Sequence, residues 1–266
     1  MTLQYDVAGL VVVIAGGTTG LGLSAAQRLV EQGAKVVIFG RSEESVRLAL
    51  PKLGDAARGF AADACEPSSA EHAVELAVRE FGRLDALYHV AGGSGRSQGD
   101  GPLHEITDEG WQFTLDLNLT SLFNSNRAAV RQFLKQGGGG TILNMGSVLG
   151  WSPSPVHFAS HAYAATKAAI IGFSKATASY YVDDNIRVNV IAPALVETPM
   201  SKRAAGNDEI MRFIATKQPL DGGRIGVPED LDGAALFLLS RHAHFITGQV
   251  LAVDGGWTVS EGQYAE

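Results

Sequence analysis

The stretch Val12-Val-Ile-Ala-Gly-Gly-Thr-Thr-Gly-Leu-Gly22 runs from an apolar segment straight into four glycines among residues 16–22. Such a loop is a plain strand-to-helix turn, a linker or a cradle for a phosphate. Glycine permits positive φ and lets backbone pass close to a ligand, and a helix starting behind it turns free N–H groups toward an anion. Gly16, Gly20 and Gly22 give the spacing G-x-x-x-G-x-G. The rest of the chain decides between the three.

Working outward, seven short segments rich in Val, Ile and Leu recur: 10–15, 35–39, 58–62, 84–90, 141–145, 187–191 and 249–253. Their apolar runs are continuous rather than alternating, as strands of a parallel sheet covered on both faces require. Helical spacing fills most intervals. Leu23, Ala26, Leu29 and Val30 mark one face before Gly33, and Ala73, Leu76, Ala77 and Phe81 repeat it before Gly82. Asp108 or Thr107 caps a longer helix through Trp111, Leu115, Leu119, Leu122 and Val130, ended by the glycines at 137–140. The expected fold is α/β, a doubly wound seven-stranded parallel sheet with helices on both faces. Residues 92–102 and 200–226 show little periodicity and read as functional loops.

At 266 residues, 45% hydrophobic and 18% charged, the chain fits one domain over 1–266, with a substrate lid at about 195–226. No apolar run reaches the roughly 18 residues of a membrane span, and the N-terminus carries no leader pattern. The single Cys65 excludes an intramolecular disulfide and a cysteine metal cluster, so a cytoplasmic location is expected. A net charge of −7 without a basic block excludes a nucleic-acid footprint. His157 and His161 lie four apart but lack an H-E-x-x-H pattern, and Pro153 and Pro155 oppose a helix there. We expect no metal site, and solvated or substrate-facing histidines.

A dinucleotide site needs a group at the end of the second strand to read the adenosine ribose. The chain offers Phe39-Gly-Arg-Ser42, with no carboxylate. Arg41 and Ser42 suit a 2′-phosphate, which favours NADP over NAD. Asp63, after the third strand, is a candidate for the adenine edge. Tyr163 and Lys167 stand at i and i+4 on one helix face. Asn144-Met-Gly-Ser147 leaves a hydroxyl at a strand's carboxyl end, where doubly wound sheets build their sites.

Gly16/Gly20/Gly22, Asp63, Ala91-Gly92, Asn118, Ser147, Tyr163 with Lys167, Pro193 to Thr198 and Val253-Asp-Gly-Gly256 occur in that order. Together they resemble the compact single-domain branch of the short-chain dehydrogenase/reductase family, over nearly the whole chain. The resemblance implies a Rossmann fold and hydride transfer between NAD(P) and a ketone or secondary alcohol. It implies cofactor contacts from Gly16, Thr18, Thr19, Gly20, Leu21, Gly22, Arg41, Ser42, Asp63, Ala64, Ala91, Gly92, Tyr163, Lys167, Pro193, Val196 and Thr198.

In that resemblance Tyr163 is the general acid or base, its pKa drawn down from about 10 by Lys167. Lys167 also holds the nicotinamide ribose, Ser147 binds the substrate oxygen, and Asn118 positions a water in a proton relay. Trp151, Val156, Phe158, Leu195 and Met200 are candidates for the substrate pocket. A homotetramer is implied, joined through helices around Trp111–Phe133 and His161–Tyr181.

The chain departs from the family pattern at several points. His89-Val90 stands where two asparagines are usual, so the hydrogen bonding behind the cofactor must differ. Ala15 replaces a threonine, and Pro193-Ala194 replaces Pro-Gly. Ser147 and Tyr163 lie sixteen residues apart, and the extra length, Trp151 to Phe158, reshapes the substrate mouth. A 3-oxoacyl thioester reductase of fatty-acid type is the nearest alternative, with Lys202, Arg203 and Lys217 as its only basic candidates for a carrier. A dinucleotide sensor without chemistry is the alternative of another class. An epimerase is the third, though it usually has a larger C-terminal domain.

Overall fold

The computed structural model describes residues 4–262. Met1 to Leu3, the start of the stretch read for a leader, lie outside the described residues. Seven strands form one parallel sheet in the order β3-β2-β1-β4-β5-β6-β7. They are β1 (Val11–Ala15), β2 (Lys35–Gly40), β3 (Ala57–Ala61), β4 (Ala86–His89), β5 (Gly140–Met145), β6 (Ile186–Pro193) and β7 (Val250–Val253). All seven coincide with the apolar segments of the sequence to within a few residues.

The continuous apolar runs have a simple cause. Side chains alternate across a strand, and both faces of β1 are buried. Val12 and Ile14 enter one core and Val11, Val13 and Ala15 the other. The first core takes Ala25, Ala26 and Leu29 of helix α1 (Gly20–Glu31), Ala49 and Leu53 of α2 (Glu43–Leu53), and Leu231, Ala235 and Leu236 of α9 (Glu229–Leu239). The second takes Ala73 and Ala77 of α3 (Pro67–Phe81), Ala129 and Phe133 of α5 (Ser121–Gln136), and Ala178 of α6 (His161–Tyr180). At about 25 cal/mol per Å² of buried apolar surface, these two layers supply the main driving force for the fold.

The expected helix ends are present. Gly33 and Gly82 have φ of +86° and +87°, and the Thr107 hydroxyl accepts from Gly110 N–H at 3.0 Å. Two readings change. The long helix after Thr107 is α4 (Asp108–Leu115), then a π-helical turn at Asp116–Thr120, then α5. The stretch 200–226 is not wholly loop: it holds α7 (Lys202–Ala205) and α8 (Asp208–Lys217), capped by the Asn207 side chain accepting from Ile210 N–H at 3.0 Å. Ile210, Met211, Phe213 and Ile214 give α8 an apolar face, of which Ile210 and Ile214 are buried. No helix among the described residues is long and apolar enough to cross a membrane.

β1 and β4 are neighbours whose connections leave to opposite faces of the sheet. Their carboxyl ends therefore part at a crevice, the place where such sheets bind ligands.

Candidate active site

A cleft of about 850 Å³ opens at that crevice. Its first wall is the glycine loop. A Cβ on Gly16 would lie 2.7 Å from Ala91 N, and one on Gly22 2.2 Å from Gly16 O, so neither position has room for a side chain. No side chain caps α1, and its backbone hydrogen bonding begins with Leu23 N–H to Thr19 O at 3.2 Å. The preceding N–H groups and the positive end of the helix dipole face the cleft. This fits a pyrophosphate.

At the end beside β2 and β3, where the sequence reading expects the adenosine, the wall is Gly40, Arg41, Ser42, Ser45, Asp63 and Ala64. Arg41 is exposed. The Ser42 hydroxyl caps α2 by accepting from Ser45 N–H at 3.2 Å, and Asp63 Oδ1 accepts from Cys65 N–H at 2.9 Å. Ser45, absent from the sequence candidates, donates to Ser42 O at 2.9 Å and to Thr18 Oγ1 at 3.1 Å. It fastens the glycine loop to α2. The opposite wall holds Pro193, Val196 and Thr198, and a Cβ on Gly20 would meet Thr198 Cγ2 at 3.4 Å.

Ser147, Tyr163 and Lys167 meet at the far end, above β5. Burial pushes the Tyr163 phenol up to about 12, against a smaller lowering by the neighbouring Ser147 side chain. The lowering expected from Lys167 is not what this geometry gives. The Lys167 Nζ donates to Met145 O at 2.9 Å and stands 5.4 Å from the centre of the Tyr163 ring. Burial also holds the ammonium down at about 7, which weakens it as a fixed positive charge.

Asn118 sits in the π-helical turn, buried. Its Nδ2 donates to Thr114 O and Gly93 O, both at 2.9 Å, and its Oδ1 accepts from Gly93 N–H at 3.0 Å. The side chain thus fixes the loop after β4, and a Cβ on Gly92 would lie 2.8 Å from Asn118 Oδ1 and 3.6 Å from Lys167 Nζ. Behind the site, His89 Nδ1 is 2.6 Å from Ser125 Oγ and Nε2 is 3.4 Å from Ser121 Oγ. This is the rearranged bonding that its place in the sequence required. Asn144 pairs with Asn126 through two bonds of 2.9 and 3.0 Å.

The insertion is held by aromatic packing. Trp257 Nε1 donates to Ser152 O at 3.1 Å, and Phe158 lies edge-on to Trp257 at 5.7 Å. Phe158, Leu195 and Met200 line the cleft as expected, and so does Trp257. Trp151 and Val156 do not: they are exposed outside it. His157 does not face the cleft either, because its ring packs against Phe213 at 4.9 Å; His161 is exposed. Among the described residues no group of three or more His, Cys, Asp or Glu is placed to hold a metal ion.

Two further residues of this region are invisible to local spacing. Asp100, buried, accepts from Ala162 N–H and Tyr163 N–H with its two oxygens, each at 3.0 Å. With His161 N–H donating to Gly101 O at 3.1 Å, the loop 92–102 caps α6 from outside. Arg96, in the same loop, lines the cleft.

Comparison with known proteins agrees with this geometry. The family model described as enoyl-(acyl carrier protein) reductase matches residues 15–258. The 3-oxoacyl-[acyl-carrier-protein] reductase FabG of Vibrio cholerae is 36% identical over 249 residues, 93% of this chain and 97% of that protein. The 2,5-dichloro-2,5-cyclohexadiene-1,4-diol dehydrogenase LinX of Sphingobium indicum is 35% identical, covering 95% and 97%. A solved short-chain type dehydrogenase/reductase from Mycobacterium ulcerans superposes with a TM-score of 0.88 at 31% identity, covering 97% of this chain and 92% of that one.

Proposed function

The chain belongs to the short-chain dehydrogenase/reductase family and is an NAD(P)-dependent oxidoreductase of ketones or secondary alcohols, and we propose that Tyr163, Ser147 and Lys167 do its chemistry with NADP(H). The observation carrying this is the meeting of these three side chains at one end of a cleft whose other end is an uncapped helix N-terminus.

When bound, the nicotinamide supplies or accepts the hydride. Tyr163 Oη gives its proton to the carbonyl oxygen in reduction and takes it back in oxidation. Ser147 Oγ donates to the same oxygen as negative charge develops there. Lys167 holds the ribose and, once its Nζ is shared with those hydroxyls, steadies the phenolate electrostatically. Asn118 holds the loop after β4 to the π-helical turn beside Lys167, the place from which it would position the water of the proton relay. The cofactor contacts are those expected from the sequence with Ser45 added, except that Gly22 is packed behind the loop against Gly16 and shapes the cleft without lining it.

Arg41 supports NADP: it is exposed at the end of β2 and forms no ion pair among the described residues. The segment 195–226 acts as a lid over the substrate. Exposed Trp111 and Phe123 support a homotetramer joined through α4, α5 and α6, and the lone Cys65 suits the cytosol. A second reading, reduction of a 3-oxoacyl thioester, is favoured by the likeness to the Vibrio cholerae reductase.

Cofactor oxidation over a panel of ketones and a 3-oxoacyl thioester tests the assignment. NADPH is expected to outperform NADH by at least about tenfold in kcat/KM, and Arg41→Asp to reverse that order. Tyr163→Phe is expected to lose at least about a hundredfold in kcat. NADPH binding with no turnover of any carbonyl would favour a sensor.

A further inference from the structure

The substrate end of the cleft holds two guanidinium groups that make no ion pair among the described residues. Arg96 stands in the turn Arg96–Gln98, and Arg203 on α7; both line the cleft that Tyr163, Phe158 and Ser160 also line. Among its described lining residues the sole carboxylate is Asp63, at the adenosine end. The carboxylate that acts electrostatically on Arg96, Asp100, already gives both oxygens to the N-terminus of α6. Neither guanidinium forms an ion pair among the described residues.

Each is nevertheless held in place. Arg203 Nη2 donates to His157 O at 3.2 Å, and its guanidinium lies 5.9 Å from the centre of the Phe158 ring. This ties the lid helix to the insertion. Arg96 is half-buried in a loop that Asp100 and Gly101 anchor to α6. Burial and the neighbouring Arg203 both push the Arg96 pKa below the ordinary arginine value. Arg203 is exposed and Arg96 half-buried, and two like charges lining one cleft repel each other, a cost that an anion between them relieves. Arginine forks match carboxylate and phosphate oxygens, which makes them specific for such groups.

Resting on the oxidoreductase reading above, we infer that the substrate is a compact ketone or secondary alcohol bearing an oxyanion, carboxylate or phosphate, that Arg96 and Arg203 grip while Tyr163 and Ser147 address the reacting oxygen. Specificity then comes from the distance between the two oxygen functions. The 92–102 loop, the insertion and the lid each contribute to setting it. A neutral ketone leaves the two charges unpaired and is the poorer substrate.

The test uses the intact enzyme with NADPH. Acetoacetate, 4-oxopentanoate and 5-oxohexanoate are each compared with their methyl ester, and 4-oxopentyl phosphate stands for the phosphate class. In parallel, calorimetry measures pentanoate, pentyl phosphate and pentanamide binding to enzyme saturated with NADP⁺. An anion is expected to exceed its neutral counterpart by about tenfold or more, in kcat/KM and in affinity, and to lose that margin at high salt. The better of the two anion classes identifies the head group. Arg96→Gln and Arg203→Gln should each bring the anion-to-neutral ratio down by about fivefold or more.

Equal handling of acids, phosphate and neutral analogues overturns the inference, as does a ratio unmoved in both variants. Anion binding that depends on Arg96 and Arg203 without turnover of any ketone supports the anion site and counts against the oxidoreductase reading instead. Brisk turnover of esters and acids alike does the reverse.

Discussion

The Asp100 carboxylate accepts from the backbone N–H of Tyr163 at 3.0 Å, across 63 residues of chain. The same carboxylate holds Ala162 N–H, so a buried anion sits at the positive end of the helix that presents the phenol. Ser160, at the position where a cap is usual, makes no side-chain cap. Asp100 is therefore a positioning residue for Tyr163.

Removing it leaves two donors without partners. Asp100→Ala is expected to cost about 2 kcal/mol in denaturant unfolding. It should lower kcat well beyond any change in the KM for cofactor. Asp100→Asn keeps one acceptor and should recover part of both. Full activity in Asp100→Ala would mean that the remaining packing suffices to place the phenol.

Burying Lys167 costs the fold stability. Burial depresses its folded pKa to about 7, against the ordinary lysine value of 10.5, so the folded protein gives up a proton that the unfolded chain keeps. Stability from this group rises with pH between those values, and its penalty is fully present below pH 7. Lys167→Met should remove the penalty, stabilising the protein by roughly 2 kcal/mol at acid pH after the lost bond to Met145 O. The gain should shrink as the pH approaches 10. Melting curves across pH check this, and kcat should collapse in the same variant.

His89 predicts an acid limb. Burial holds its folded pKa down at about 3, with the charge of Lys167 adding to the effect. Below the unfolded value of 6.5 the unfolded chain takes a proton that the folded one refuses. Stability from this residue is complete above pH 6.5 and falls by up to about 1.4 kcal/mol per pH unit from there toward pH 3. His89→Asn should flatten that limb between pH 6 and pH 4. An unchanged slope would place the acid sensitivity in other groups.

Two glycines in helices predict opposite outcomes for one substitution. Gly172 lies in α6 with nothing within 4 Å of a Cβ, so Gly172→Ala should stabilise by about 0.5–1 kcal/mol. Gly22 lies in α1 with Gly16 O at 2.2 Å, so Gly22→Ala must displace the loop. NADPH affinity, read by fluorescence titration, should fall by about tenfold or more. Undiminished affinity in Gly22→Ala would mean that the close turn is not what shapes the phosphate seat.

The sequence by itself determined what local pattern encodes. Strand positions were legible because burial on both faces of a sheet leaves a continuous apolar run, as in Val11 to Ala15. The glycine loop was legible because only glycine tolerates the approach of Gly16 and Gly22 to backbone. Tyr163 and Lys167 were legible as a pair because helical spacing puts i and i+4 on one face. Helix α8 was missed although Ile210, Phe213 and Ile214 recur at helical spacing, because it lies within a stretch that is otherwise irregular.

Tertiary structure alone decided where the irregular segments aim their polar groups. Asp100 reaches Tyr163, Arg96 and Arg203 both line the cleft, and Lys167 donates to Met145 O, because packing between distant elements sets those directions. It also set the proton affinities: burial, which no spacing reveals, raises the phenol of Tyr163 and lowers the ammonium of Lys167. Chain-local periodicity records which face is apolar, whereas a contact across 63 residues leaves no period to read.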